Sequence, residues 1–163
     1  MKKRSGFGLT AVILSGIETV IFLLLVVFVA IGKNSPSFQA GFEQGFNQAG
    51  GANYMFAGYS YSDLINMILM VFLVVFLCLA VKFILSLLGY IKNNSTLLLI
   101  AAILASINTA LVLMTFNFFI IIFEAVITVF LWITFQSVRS NKNSTNVINK
   151  LDDEDKTVID INK

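Results

Sequence analysis

The chain has 163 residues, of which 58% are hydrophobic and only 12% charged, with a mean hydropathy of +0.88. A soluble domain carries about 25% charged residues, so this composition excludes an ordinary soluble globule and points to membrane-spanning helices. A net charge of +2, no His and the single Cys78 leave no basis for nucleic-acid binding, an intrachain disulfide or a zinc site.

Residues 1–8 form a short basic lead holding Lys2, Lys3 and Arg4. The first apolar run, about residues 9–32, can cross a hydrocarbon core, which takes about 20 residues at 1.5 Å of helix rise each. It is longer than the apolar stretch of a signal peptide, about 7–15 residues, and no small-x-small cleavage site follows it. It is therefore expected to stay in the protein as a helix. Glu18 lies well inside this run. A carboxylate at that depth needs a partner, a cavity or a proton.

Residues 33–61 read as an outer loop. Ser35-Pro36 has the form of a helix N-cap followed by Pro at the first helical position. Phe38, Phe42 and Phe46 recur every four residues and so share one helix face. They predict a short amphipathic helix on the outer leaflet, a candidate outer interfacial face. Gly41 and Gly45 weaken this helix, and Gly50-Gly51 ends it. A lid over a ligand or partner is the alternative use of the segment. A face resting on lipid is the simpler one.

The second span covers about residues 62–91, with Ser62 or Asp63 able to cap its first turn. It exceeds the bilayer core, so it tilts or projects. Lys92-Asn93-Asn94 links it to the third span, about residues 95–115. The fourth covers about residues 118–137. A single helix through both would run over about 60 Å, twice the core, so Thr115-Phe116-Asn117 must turn the chain. Residues 138–163 form a polar tail with five basic and five acidic residues, expected to be disordered or loosely helical. Its acidic cluster, Asp152 to Asp155, suits docking to another protein, although a solvated charge-balanced tail explains it as well.

The expected fold class is thus all-α: a membrane domain of four transmembrane helices over residues 1–137, followed by a cytoplasmic tail. Orientation follows from Lys and Arg near the span ends. Lys2, Lys3, Arg4, Lys82, Lys92, Arg139 and Lys142 collect on one side, and Lys33 stands against Glu43 and Asp63 on the other. Both termini should be cytoplasmic, with loop 33–61 outside. Trp132 and Tyr90 then fall near the inner interface, and Tyr54, Tyr59 and Tyr61 near the outer one, as an aromatic belt.

The first and third spans echo one another. Ala11-Val12-Ile13-Leu14-Ser15-Gly16-Ile17-Glu18-Thr19 aligns without a gap on Ala101-Ala102-Ile103-Leu104-Ala105-Ser106-Ile107-Asn108-Thr109. Both spans run from inside to outside, as a duplicated helix hairpin would give. The echo sets small residues four apart: Ala11, Ser15 and Thr19, then Ala101, Ala105 and Thr109. Lipid offers no hydrophobic drive between helices, so close approach through small side chains supplies the packing. These six are candidate helix-packing residues, and they set the first and third spans against each other.

Four side chains within the spans form a candidate intramembrane polar cluster: Glu18, Lys82, Asn108 and Glu124. By default such groups are a functional-site hypothesis, here a proton or cation path. The competing account is structural glue, with Glu18 bonded to Asn108 or paired with Lys82, Lys82 snorkelling inward, and Glu124 alone reaching the outer interface. With four groups at uneven depths, the balance tips to glue.

On the basic lead Lys2-Lys3-Arg4, the loop pair Phe42-Glu43, the link Lys92-Asn93-Asn94 and the echo of the first span in the third, the layout resembles a family. It is similar to the small four-span membrane proteins of Gram-positive bacteria grouped as a domain of unknown function, over most of residues 1–137. The resemblance implies a cell-membrane protein and names no activity. Four spans with Glu18 in the first also resemble the small multidrug exporters, in which such a Glu exchanges protons for a cationic drug. The 29-residue loop, the tail and Lys82 depart from that family. Three roles follow as expectations: a non-enzymatic envelope accessory or partner-binding subunit, a small proton-coupled transporter using Glu18, and an immunity protein against a secreted toxin. No Ser-His, Cys-His, metal-ligand or phosphate-loop set is present, so catalysis and cofactors are not expected. The expected partners are the lipid bilayer and either a second copy of the chain or another membrane protein.

Overall fold

The computed structural model describes residues 6–48, 60–113 and 118–161, with side chains through Ser144. The lead Lys2-Lys3-Arg4, the Gly50-Gly51 pair, Tyr54, Tyr59, the Thr115-Phe116-Asn117 turn and the side chains of the acidic cluster lie outside these. The described residues hold five helices and no strands: α1 (Gly6–Gly32), α2 (Pro36–Gln48), α3 (Tyr61–Ile91), α4 (Ser95–Leu113) and α5 (Phe118–Ile161). Four of them (α1, α3, α4 and α5 through Ser144) are long and apolar enough to cross a membrane. Large apolar side chains such as Leu24, Phe28, Ile31, Met70 and Phe119 stand exposed along them. Exposed apolar surface on this scale is what a lipid-facing protein presents.

The helix ends are fixed by local chemistry. α3 opens with a capping box, in which the Asp63 backbone N–H donates to Ser60 Oγ at 3.2 Å and the Ser60 N–H and O–H donate to Asp63 Oδ2 at 3.1 and 2.6 Å. The N-cap is therefore Ser60, two residues ahead of the expected Ser62, with Asp63 closing the box from the third helical position. Ser-Tyr-Ser-Asp contains the S-x-x-D signature, which the simpler reading of Ser62-Asp63 passes over. At its other end α3 stops in a Schellman motif. Asn93 takes a left-handed φ of 53°, Asn94 N donates to Gly89 O at 2.9 Å and Asn93 N to Tyr90 O at 3.4 Å. Asn94 then caps α4 at once, its Oδ1 accepting from Thr96 N at 2.9 Å and Leu97 N at 3.4 Å. One pair of Asn residues thus ends one helix and starts the next. α5 runs on as helix to Ile161, beyond the expected span 118–137. At 1.5 Å per residue its 44 residues measure about 66 Å, twice a hydrocarbon core.

The chain divides into two compact units. The first joins residues 6–15 of α1 and 82–91 of α3 with α4 and α5. On α4, Leu98, Ala101, Ala102 and Ala105 are buried, a stripe with helical spacing. Ala102 and Ala105 form one core cluster with Ala11, Ile127 and Leu131, and Leu98 forms another with Phe135 and Val138. Gly8 belongs to this unit too. A Cβ there would lie 2.8 Å from both Thr134 and Tyr90, so only glycine lets α1 come this close. The Phe7 ring rests 5.5 Å from that of Phe130.

The second unit comprises residues 16–81. Phe22 and Phe72 meet edge to face at 5.7 Å, and Thr19 Oγ1 donates to Leu79 O at 3.4 Å, tying α1 to α3. α2 folds back on the ends of both. Gln39 Nε2 donates to the Lys33 carbonyl at 2.8 Å, satisfying a C-terminal acceptor of α1, and Lys33 Nζ donates to Asn66 Oδ1 at 3.2 Å.

Candidate functional site

Lys82, Asn108 and Glu124 of the candidate cluster come together, one from each of three helices. Lys82 on α3 donates to both Glu124 oxygens on α5, at 3.4 Å to Oε1 and 3.3 Å to Oε2. The two side chains are 1% and 2% exposed. Asn108 on α4 donates through Nδ2 to Glu124 Oε1. Glu124 is thus the hub, and it reads differently here from the lone residue reaching for the outer interface. Lys82 likewise is paired rather than snorkelling toward the Lys92 end.

A polar seam continues from this hub along α4 and α5. Thr128 follows Glu124 by one turn, and its Oγ1 lies 2.8 Å from Thr109 Oγ1, which also bonds Ala105 O at 2.9 Å. Trp132 follows by one more turn and donates Nε1–H to Ser106 Oγ at 3.1 Å. Ser106 in turn donates to Ala102 O at 2.9 Å. Trp132 therefore spends its N–H inside the protein, across the α4–α5 contact, where the sequence reading places it in the interfacial belt. Glu124, Thr128 and Trp132 stand at i, i+4 and i+8, the spacing of one helix face. That spacing is legible for Thr128 in the sequence alone. On α3, Ser86 follows Lys82 by one turn, is fully buried, and donates to Phe83 O at 2.8 Å.

The small residues separate by unit. Ala11, Ser15, Ala101 and Ala105 are fully buried in the first unit. Thr109 joins the seam, and Thr19 bonds within the second unit. Glu18 stands on α1 in the second unit and is half-buried. The echoed segments keep the same burial residue by residue: positions 11, 12 and 15 are buried as 101, 102 and 105 are, while Ile13 and Ile103 are exposed.

The phenylalanine face of α2 is half-buried against protein. Phe38 meets Phe28 of α1 edge to face at 5.7 Å, and Phe46 meets Tyr61 of α3 at 6.3 Å. Phe42 stacks on Phe46 at 6.1 Å. A Cβ on Gly32 would lie 2.9 Å from the Phe38 ring, so that glycine admits the ring against the end of α1. These contacts anchor α2 to the ends of α1 and α3, whereas the sequence pattern alone rests this face on lipid.

Compared with known proteins, the chain matches no family model, no curated protein and no solved structure.

Proposed function

We propose that this multi-pass membrane protein works without catalysis, as an accessory or partner-binding subunit of the cell envelope. In this reading both termini are cytoplasmic and α2 lies outside, because Lys92, Arg139 and Lys142 gather at one end of the spans. The α1–α3 and α4–α5 hairpins descend from one duplicated hairpin, as the shared burial of 11–15 and 101–105 suggests. The observation that carries the reading is the engagement of Lys82, Glu124 and Asn108 with one another. An ion pair between α3 and α5, joined by an amide donor from α4, holds the three helices in register, as a structural role requires.

Complex size tests this. The full-length chain, extracted from native membranes in mild detergent, should run larger than a monomer, with a second copy or one other membrane protein in fixed ratio. A clean monomer with no associated protein would sink the partner-binding role.

Glu18 favours a second reading, a small proton-coupled transporter. It is a half-buried carboxylate deep in the apolar part of α1. Reconstituted vesicles decide between the two. Proton-coupled flux present in wild type and lost in Glu18→Gln, with the fold intact, would establish transport. No flux in either leaves the accessory role standing.

A further inference from the structure

The α3–α4 corner and the facing turn of α5 enclose a basic cleft that the reading above leaves unused. One part, about 400 Å³, is lined by Lys92, Asn93, Asn94 and Lys142 among others. The adjoining part, about 540 Å³, is lined by Leu99, Phe135, Arg139 and Lys142 among others. Ser95, Thr96 and Lys142 belong to both, so the two parts are continuous. Three cations (Lys92, Arg139 and Lys142) therefore face one space, and among the described residues no carboxylate lines it.

The backbone under the cleft is built rather than loose. The left-handed Asn93, the two Schellman bonds and the Asn94 cap fix the chain from Lys92 to Leu97. Arg139 is steadied by the Phe135 ring, whose centroid lies 6.0 Å from the guanidinium carbon. The position in depth matters as well. The apolar run of α3 ends at Ile91 and that of α4 begins at Leu97, so the cations stand where hydrocarbon gives way to headgroups. The floor contributes Leu99, Phe135 and Val138 beside the charges. A free phosphate would use the cations alone. A lipid uses both, its phosphate on the cations and its glycerol and first methylenes on the floor.

We infer that this cleft binds the headgroup of an anionic phospholipid from the adjoining leaflet. Basic pockets between membrane helices select such headgroups by charge, and each nearby Lys or Arg is worth about fivefold in affinity.

Spin-labelled lipids test it on the full-length protein in phosphatidylcholine nanodiscs. Trace labelled phosphatidylglycerol should show a motionally restricted population several times that of labelled phosphatidylcholine. Lys142→Gln should remove most of that preference, and Arg139→Gln with Lys142→Gln should leave the two lipids nearly equal. Lys142→Arg should retain it. Equal restriction of the two lipids by the unmodified chain would overturn the proposal and needs no variant. So would a preference that survives the double change, or displacement of the label by inorganic phosphate as readily as by unlabelled phosphatidylglycerol. A monomeric protein with no partner could still pass this test, so its outcome is independent of the accessory role.

Discussion

Gly89 of α3 and Leu98 of α4 stand so close that a Cβ on Gly89 would lie 2.9 Å from Leu98 Cγ and 3.0 Å from its backbone nitrogen. The Asn93-Asn94 corner sets this distance, and only a residue without a side chain fits. Gly89→Ala should cost about 1–3 kcal/mol, as overpacking does, because backbone cannot rotate aside as a side chain can. Thermal unfolding in detergent would show it as a lower midpoint. Gly41→Ala is the control, since nothing lies within 4 Å of a Cβ there. It should hold or gain stability.

The ion pair makes a prediction with a reversal in it. Glu124→Leu removes the carboxylate that faces the buried Lys82 ammonium and should destabilise by about 3–5 kcal/mol. Adding Lys82→Met removes the buried cation as well and should restore most of that loss. A double variant as unstable as the single one would show that Lys82 has a role beyond the pair.

Close packing can be tested from both echoed segments. Ser15→Leu and Ala105→Leu each force a large side chain into a fully buried position. Each should lower membrane abundance and stability, by about 1–3 kcal/mol for the overpacking alone. Wild-type behaviour in both would mean that these helices do not need small residues to approach.

Topology is open to labelling. With Cys78 replaced by Ala, a Cys at the exposed Ser37 should react with an impermeant thiol reagent on whole cells, and one at the exposed Ser144 should not. The reverse pattern would invert the assigned orientation.

Much of the architecture is legible from apolar length and spacing. Runs long enough to cross a bilayer became helices α1, α3, α4 and the first part of α5, and Ser35-Pro36 marks where α2 begins. What resisted reading was register between helices. Lys82 and Glu124 are 42 residues apart, and no local pattern says which turn of α5 faces which turn of α3. Depth counted from the span ends kept them apart, because it ignored the reach and tilt of a lysine stem. Gly8 and Gly89 were invisible for a similar reason. A glycine inside an apolar helix announces a close approach only once the neighbour is known. Thr128 falls between these cases, since its spacing from Glu124 was readable while its pairing with Thr109 was not.

The pairing of Lys82 with Glu124 also orders the protein's biogenesis. α3 leaves the ribosome before α5 exists, so its lysine reaches the membrane ahead of the carboxylate that will receive it. On the insertion scale a lysine at mid-helix costs about 2.5–3.5 kcal/mol. The surrounding Leu, Val and Phe of α3, at about 0.3–0.6 kcal/mol each, must carry it until then. A chain cut short after α4 would keep that lysine in the membrane without the Glu124 carboxylate that faces it in the finished fold.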